Sequence, residues 1–171
     1  MLNQTHPAQN LIEALRSANQ TLAVAESCTG GSLGAALTDI SGSSAVFMGG
    51  IIAYDNSIKI NILKVRQQTL ADHGAVSAEC ATEMAAAVKA LFKTTAGISI
   101  TGIAGPNGGT KQKPVGTVYI GTVFNNEKLV RCYHFDGNRT EIRQQSVEAA
   151  LKQLCCHSER ILSLKREGEE S

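Results

Sequence analysis

The stretch from Leu22 to Gly31 constrains the fold of this chain more than any other part of the sequence. A short apolar run, Leu22-Ala23-Val24-Ala25, breaks into Glu26-Ser27-Cys28-Thr29-Gly30-Gly31 and is followed by a helical pattern up to Ile40. A strand that ends in a small, glycine-rich turn before a helix presents a side chain at the edge of a sheet and aims backbone N–H groups at the same point. The sequence therefore predicts an α/β domain with Ser27 as the candidate nucleophile.

Periodicity and capping residues predict the helices of this domain. Asp55 or Asn56 can cap a short helix, Ser77 can cap an alanine-rich one, and Asn138-Arg139-Thr140-Glu141 fits a capping box. The predicted helices lie at 8–19, at 29–40, after residue 55, at 69–73 as a single turn, at 78–92 and from 139 to 164.

Short β-rich runs between these helices predict the sheet. Two of them, 117–124 and 128–135, are separated by Asn125-Asn126-Glu127, which is typical of an antiparallel hairpin. The other predicted strands lie at 21–25, at 46–54 as a buried strand, and at 97–101. Helices and strands in this order predict a three-layer α/β/α sandwich with a mixed sheet of about five strands.

Composition limits the class of protein. The 171 residues fit one domain over 8–164, between a flexible N-terminus at 1–7 and a charged tail at 165–171. A net charge of +1 lacks the basic excess that a nucleic-acid binder needs. Five cysteines without a CxxC pair, and no apolar run of about 18 residues, predict a reduced, cytoplasmic protein without a membrane partner. No cluster has metal-ligand spacing, so we expect neither a metal nor another cofactor.

A serine nucleophile needs a base, and Lys59 is the best candidate. The four histidines lie in unrelated segments, so a Ser-His-Asp triad would need an accidental convergence. Lys59 follows an apolar strand and begins a helix whose positive end disfavours an ammonium group. Because the carboxyl ends of parallel strands share one sheet edge, we expect Ser27 and Lys59 to share a crevice. A solvated surface lysine is the alternative, and position alone slightly favours it. The histidines are His6, His73, His134 and His157.

Tyr54 and Cys28 are two further candidates near this crevice. Tyr54 ends a strand five residues before Lys59, and its hydroxyl could relay or orient a proton. A half-buried aromatic ring with its hydroxyl in water is an equal alternative. Cys28 lies near a helix N-terminus, which lowers the pKa of a thiol. We rank Cys28 below Ser27 because strand alternation points it the other way and no histidine pairs with it.

A glycine-rich loop and two arginines are the candidate ligand contacts. The loop at 102–109 lacks the spacings of a P-loop or a dinucleotide site, but its N–H groups, with Thr101 and Asn107, could donate to an anionic or amide ligand. Arg139 and Arg143 lie four residues apart, on one helix face, and could clamp a phosphate. Ordinary pairing of these arginines with surface carboxylates is the alternative that spacing alone favours.

Several blocks together resemble the CinA C-terminal family, in order and with compatible spacing over roughly residues 8–160. The resemblance implies a three-layer α/β/α domain and nicotinamide-nucleotide amidase activity, which hydrolyses nicotinamide mononucleotide to nicotinate mononucleotide and ammonia in pyridine nucleotide recycling. The blocks are Ala25–Gly31, Tyr54-Asp55-Asn56-Ser57-Ile58-Lys59, Gly74-Ala75-Val76-Ser77, Ser99–Pro106 with Gly108-Gly109, Lys113–Val118, and Gly137-Asn138-Arg139 with Arg143.

The resemblance also implies a Ser/Lys amidohydrolase without a cofactor, with Ser27 as nucleophile, Lys59 as base and Tyr54 assisting. We expect backbone N–H groups around Thr29 to Gly31 to hold the oxyanion. The family further suggests a homodimer or larger homo-oligomer. The substrate contacts implied are Thr29, Gly30, Gly31, Thr101, Gly102, Gly105, Asn107, Arg139 and Arg143.

Two features set this chain apart within the family. Related chains often carry an N-terminal pyrophosphatase-like domain that this sequence does not contain, so we expect a standalone domain. The spacer at 55–58 ends in the apolar Ile58, where a more polar run such as Ser-Asn-Glu-Ala is expected before the lysine. Some family members are thought to lack the amidase activity, so a catalytically silent ligand-binding or interaction paralogue is the alternative function. A hydrolase for another small amide is a third.

Overall fold

The structure, a computed structural model, describes residues 7–169, and side chains up to Arg160. His6, the predicted flexible segment before Pro7 and the last two residues of the predicted tail lie outside the described residues. The elements, in chain order, are α1 (Pro7–Ser17), β1 (Leu22–Glu26), α2 (Ser32–Thr38), a 3₁₀ turn (Ser43–Ala45), β2 (Phe47–Ile52), α3 (Asn56–Asn61), α4 (Gln67–His73), α5 (Ala78–Phe92), β3 (Ala96–Gly102), β4 (Thr117–Phe124), β5 (Glu127–His134) and α6 (Arg139–Glu169).

The five strands form one mixed sheet in the order β2-β1-β3-β4-β5. β1 pairs in parallel with both β2 and β3, whereas β3–β4 and β4–β5 are antiparallel. The carboxyl ends of the three parallel strands therefore meet at one edge of the sheet, as expected for a ligand-binding crevice in an α/β fold. With helices on both faces, the predicted sandwich class is confirmed.

β1 runs through the centre of the molecule and is buried along its whole length. Leu22 and Val24 pack into a core on the side of α1, α2 and α6, whereas Ala23 and Ala25 pack into a second core under α5. This alternation follows from the two-residue period of a strand. A central strand with apolar side chains on both faces explains the continuous apolar run in the sequence.

Helix α5 rests directly on the sheet at two glycines. A Cβ atom added at Gly97 would collide with the carbonyl oxygen of Ala85, and one added at Gly121 would lie 2.6 Å from that of Ala81. The Ser99 hydroxyl donates to the same Ala81 carbonyl at 2.6 Å. The absence of side chains at positions 97 and 121 thus permits a very close approach of helix and sheet.

The predicted extents of β2, α2 and α6 differ from those in the structure. β2 is an edge strand rather than a buried one, because it pairs with β1 alone. It ends at Ile52, whose side chain is exposed. α2 begins at Ser32 rather than at residue 29, because Gly30 and Gly31 have φ of 58° and 100° and form a turn. α6 continues past residue 164 to Glu169. Across residues 7–169, no helix combines the length and apolar character needed to cross a bilayer.

Candidate active site

Ser27 is the first residue after β1, and its backbone is held by the sheet. Its N–H donates to the carbonyl of Ile100 on β3 at 2.9 Å, and its own carbonyl accepts from the Gly30 N–H at 3.1 Å. The side chain is largely buried, with 9% of the residue exposed. The hydroxyl is therefore presented from a rigid backbone at the end of the central strand.

Lys59 reaches the same point from α3. Asp55 caps this helix by accepting from the Ser57 N–H at 2.8 Å, as predicted, and the helix turns Lys59 inward until it is 1% exposed. The amine Nζ lies 3.2 Å from Ser27 Oγ, 2.7 Å from the Ala53 carbonyl oxygen and 3.2 Å from the Tyr54 carbonyl oxygen. The alternative of a solvated surface lysine does not describe this side chain.

Burial lowers the pKa of the Lys59 ammonium below its usual value, because the charged form loses its hydration. The neighbouring Cys80, Asp55 and Cys28 groups oppose the shift to a smaller extent. A neutral amine has two N–H donors and one lone pair. The two carbonyls of Ala53 and Tyr54 can accept the two N–H groups, which leaves the lone pair for the Ser27 hydroxyl. This arrangement can remove a proton from a serine.

The competing bases and nucleophiles are not placed for this chemistry. Of the described histidines, His73, His134 and His157, none lines the pocket that contains Ser27. Burial raises the pKa of the Cys28 thiol to about 11, so the lowering that a helix N-terminus would cause is outweighed. Cys28 is therefore a neutral thiol at physiological pH rather than an activated nucleophile.

Ser27 and Lys59 open into a pocket of about 290 Å³. The predicted residues Tyr54, Thr101, Gly102, Gly105, Asn107 and Arg139 all line it. A larger cavity of about 890 Å³ lies around the β4–β5 turn, but it contains neither Ser27 nor Lys59. We therefore assign the candidate active site to the smaller pocket, where the candidate nucleophile Ser27 and the candidate base Lys59 meet. Among the side chains that the structure describes, up to Arg160, no group of three or more His, Cys, Asp or Glu residues could hold a metal ion.

Two of the lining side chains already have partners. The Thr101 hydroxyl donates to the Ala75 carbonyl at 2.7 Å. Its proton is therefore not available to a ligand, in contrast to our expectation. Arg139 donates from Nη1 to the Gly105 carbonyl at 2.7 Å and from Nη2 to the Tyr54 hydroxyl at 3.0 Å. These two bonds leave three of the five guanidinium N–H donors for a ligand.

Arg143 does not join Arg139 in the pocket. Its Nη2 donates to the carbonyl of Thr29 at 2.7 Å and to the hydroxyl of Ser32 at 2.8 Å. The predicted phosphate clamp of two arginines is therefore wrong, because successive turns of α6 face different surroundings. Thr29, Gly30 and Gly31 also lie outside the residues that line the pocket.

The predicted oxyanion donors need the same correction. The Gly30 N–H donates to Ser27, and the Gly31 N–H donates to the carboxylate of Glu26 at 3.0 Å. In the described part of the chain, the N–H groups of Cys28 and Thr29 donate to no other residue, although the Cys28 N–H lies beside its own thiol. Of these two residues, Cys28 lines the pocket. Sequence reasoning missed Glu26, although an acidic residue between an apolar strand and a glycine turn was a signal.

Comparison with known proteins identifies the family. A family model for the CinA C-terminal domain matches residues 4–157. A CinA-like protein of Thermotoga maritima is 46% identical over 153 residues, which cover 90% of this chain and 37% of that protein. A CinA-like protein of a Nostoc species is 61% identical over 132 residues, or 77% of this chain and 31% of that protein. The chain spans about a third of the length of these curated relatives.

Solved structures agree with this result. The crystal structure of a competence-damaged protein (CinA) superfamily protein from Klebsiella pneumoniae has a TM-score of 0.87 and 33% identity, covering 90% of this chain and 96% of that one. A competence/damage-inducible protein from Agrobacterium tumefaciens has a TM-score of 0.83 and 36% identity, with 91% and 98% covered. The chain belongs to the CinA C-terminal domain family.

Proposed function

We propose that this protein is a Ser/Lys amidase that hydrolyses nicotinamide mononucleotide to nicotinate mononucleotide and ammonia. The observation that carries the proposal is the 3.2 Å approach of Lys59 Nζ to Ser27 Oγ, with the amine buried against two carbonyls. A buried, neutral lysine is a recognised way of activating a serine without histidine. The proposed substrate class, a carboxamide, comes from the family resemblance of the sequence.

In the first half of the reaction, neutral Lys59 accepts the Ser27 proton while Oγ attacks the carboxamide carbon. The carboxamide oxygen becomes negatively charged and accepts a hydrogen bond from the N–H group of Cys28, which lines the pocket. The Lys59 ammonium then returns its proton to the amide nitrogen, which leaves as ammonia. An acyl-enzyme remains on Ser27.

In the second half, a water molecule gives a proton to Lys59 and attacks the acyl carbon. The tetrahedral intermediate collapses, Ser27 recovers its proton from Lys59, and the carboxylate product leaves. Both halves use the same base, because the two Lys59 N–H groups stay on the Ala53 and Tyr54 carbonyls while the third position gains and loses the proton. The mechanism needs no metal or cofactor.

Arg139 and Asn107 are the proposed contacts to the rest of the nucleotide. The pocket lining contains two basic residues, Lys59 and Arg139. Arg139 has guanidinium N–H groups that are free to bind a phosphate. Asn107 lies on the glycine-rich loop with an exposed side chain that can pair with a polar group. The pocket volume of about 290 Å³ is close to the lower end of the range for small-molecule sites, about 300–1,000 Å³.

The test is ammonia release from nicotinamide mononucleotide by the purified protein, its Ser27→Ala variant and a Ser44→Ala control on the exposed turn after α2. We expect release by the native protein and by Ser44→Ala, and none above background by Ser27→Ala. A thermal shift with the nucleotide should persist in Ser27→Ala. Wild-type activity in Ser27→Ala contradicts the mechanism, and binding without turnover in the native protein indicates a silent paralogue.

A further inference from the structure

Glu26, the residue before the nucleophile, is a buried carboxylate that the mechanism does not use. It is 1% exposed and lies at the end of the central strand. Its Oε2 accepts from the N–H groups of Gly31 and Leu33 at 3.0 and 3.1 Å, and its Oε1 accepts from the Gly34 N–H at 2.8 Å. Helix α2 has no side-chain cap at its own N-cap residue, Gly31, so Glu26 satisfies its first N–H groups from outside the helix.

The backbone of Glu26 is fixed by the sheet at the same time. Its carbonyl accepts from the Ala53 N–H at 2.7 Å, and the residue pairs in register with Ile52 on β2 and Ile100 on β3. The main chain of Glu26 thus holds the beginning of the Ser27–Gly31 turn, and its side chain holds the end. A single residue closes the turn that carries the nucleophile.

Arg143 holds the middle of the same turn from α6. Its Nη2 donates to the Thr29 carbonyl and to the Ser32 hydroxyl, at 2.7 and 2.8 Å. The Ser32 hydroxyl in turn donates to the Thr29 carbonyl at 2.8 Å. Neither Arg143 nor Glu26 is among the residues that line the Ser27 pocket, so neither is placed to touch a substrate there.

We infer that Glu26 and Arg143 are positioning residues, which act through the Ser27–Gly31 turn to hold Ser27 Oγ against Lys59. The inference rests on the proposed role of Ser27 as nucleophile. The contact between Oγ and Nζ is 3.2 Å, at the long end of the hydrogen-bond range, so a small movement of the turn breaks it. Displacement of a reacting group by about 1 Å can cost a rate factor on the order of a hundred.

Glu26→Gln and Arg143→Met are the variants that test this role. Both oxygens of the Glu26 carboxylate accept hydrogen bonds from backbone N–H groups. A glutamine has one acceptor oxygen, so its NH₂ group would face an N–H donor and lose a hydrogen bond. Arg143→Met removes both donated bonds while keeping an unbranched side chain in the helix. Glu13→Gln, on the exposed face of α1, and Arg131→Met, on β5, are the matched controls.

The first readout is the rate at which a fluorophosphonate labels Ser27, followed by mass spectrometry. In this reaction Oγ forms a bond to phosphorus, fluoride leaves, and Lys59 takes the proton, so the rate reports Ser27 activation without any amide substrate. The second readout is kcat and KM for ammonia release. Both are measured well below the melting temperature of each variant, so that all proteins are folded.

We expect the labelling rate and kcat to fall by about tenfold or more in both variants, with KM within about twofold, because transition-state alignment rather than binding is lost. The controls should match the native protein. If Glu26→Gln does not fold, Arg143→Met and Ser32→Ala carry the test. A lower melting temperature with unchanged labelling and kcat overturns the inference.

Failure of the proposed function has a different signature. If Ser27 of the native protein is not labelled, the nucleophile assignment and the positioning inference fall together. If Ser27 is labelled at the expected rates but no ammonia is released from nicotinamide mononucleotide, only the proposed substrate is wrong. The positioning inference then stands on the labelling rates of the variants.

Discussion

Arg139 and Tyr54 are joined across the mouth of the pocket, where Arg139 Nη2 donates to the Tyr54 hydroxyl at 3.0 Å. The other terminal nitrogen of the guanidinium holds the Gly105 carbonyl at 2.7 Å. One arginine thereby connects the start of α6 to the segment after β2 and to the loop after β3. The Tyr54 side chain contacts this arginine, while its main-chain carbonyl accepts from the Lys59 amine.

Tyr54→Phe should therefore affect substrate binding more than chemistry. The variant removes the acceptor that orients Arg139 and keeps the carbonyl that orients Lys59. We expect KM to rise about fivefold, which corresponds to about 1 kcal/mol for one hydrogen bond to a charged group at an exposed site. Tyr119→Phe on β4, outside the pocket, is the control. A fall in kcat of about a hundredfold at unchanged KM would instead assign a proton-transfer role to the hydroxyl.

Lys59→Met should abolish turnover and preserve the fold. Loss of a general base lowers kcat by about 10²–10⁴-fold. Methionine fills a similar volume and removes the free-energy cost of burying an amine. The Ala53 and Tyr54 carbonyls lose the hydrogen bonds that they accept from Lys59. Circular dichroism and ammonia release measure the two effects. The control is Lys64→Met, at an exposed lysine between α3 and α4. An active Lys59→Met protein would show that another group is the base.

The pH dependence of the rate should follow the lowered pKa of Lys59. Only the neutral amine can accept the Ser27 proton, so kcat/KM should rise with pH and level off below the usual lysine value of 10.5. Rates measured from about pH 6 to about pH 10 give the midpoint. A midpoint at the pKa of a solvated lysine, 10.5, would contradict a neutral Lys59 at the site.

Stability should depend on pH through the same group. Between the lowered pKa and 10.5, the unfolded chain binds a proton on Lys59 that the folded protein has released, so the free energy of unfolding rises with pH in that window. Burial raises the pKa of Cys28 and Cys80 from 9.0 to about 11, so stability falls again between those values. Urea unfolding should show that the free energy of unfolding increases with pH below about pH 9, and this increase should be absent in Lys59→Met.

The cysteines give an independent check on burial. Cys28 and Cys80 are buried, whereas Cys132 and Cys156 are exposed. At neutral pH, a disulfide reagent should label the two exposed thiols first and leave Cys28 and Cys80 unmodified until the protein unfolds, since thiolate is the reactive form. Cys28→Ser should retain ammonia release. Rapid labelling of Cys28, followed by loss of activity, would indicate that Cys28 is a candidate nucleophile.

The convergence of Ser27 and Lys59 was predictable because it depends on topology. Parallel strands place their carboxyl ends at one edge, and each residue lies close after such an end. Capping residues were predictable for a similar reason, since the contacts are local: Ser77 accepts from the Cys80 N–H, and Asn138 and Glu141 exchange the bonds of a capping box.

Contacts between distant elements could not be predicted in this way. Helical spacing places Arg139 and Arg143 on one face of α6, but it does not say that one turn of helix separates the pocket mouth from the Thr29 carbonyl. The role of Glu26 depends on the angle at which α2 leaves the turn. That angle is set by left-handed Gly30 and Gly31, whose conformation allows the helix N–H groups to point back at the carboxylate.

The close approach of α5 to the sheet at Gly97 and Gly121 has a consequence for the width of the pocket. Ser77 caps α5, and the adjoining Ala75 and Val76 form one wall of the Ser27 pocket. A methyl group at either glycine would push the helix outward, and the wall that precedes the helix would move with it. These two backbone contacts, which lie away from Ser27, therefore act as a spacer that sets the distance between Ser27 and the opposite side of the pocket.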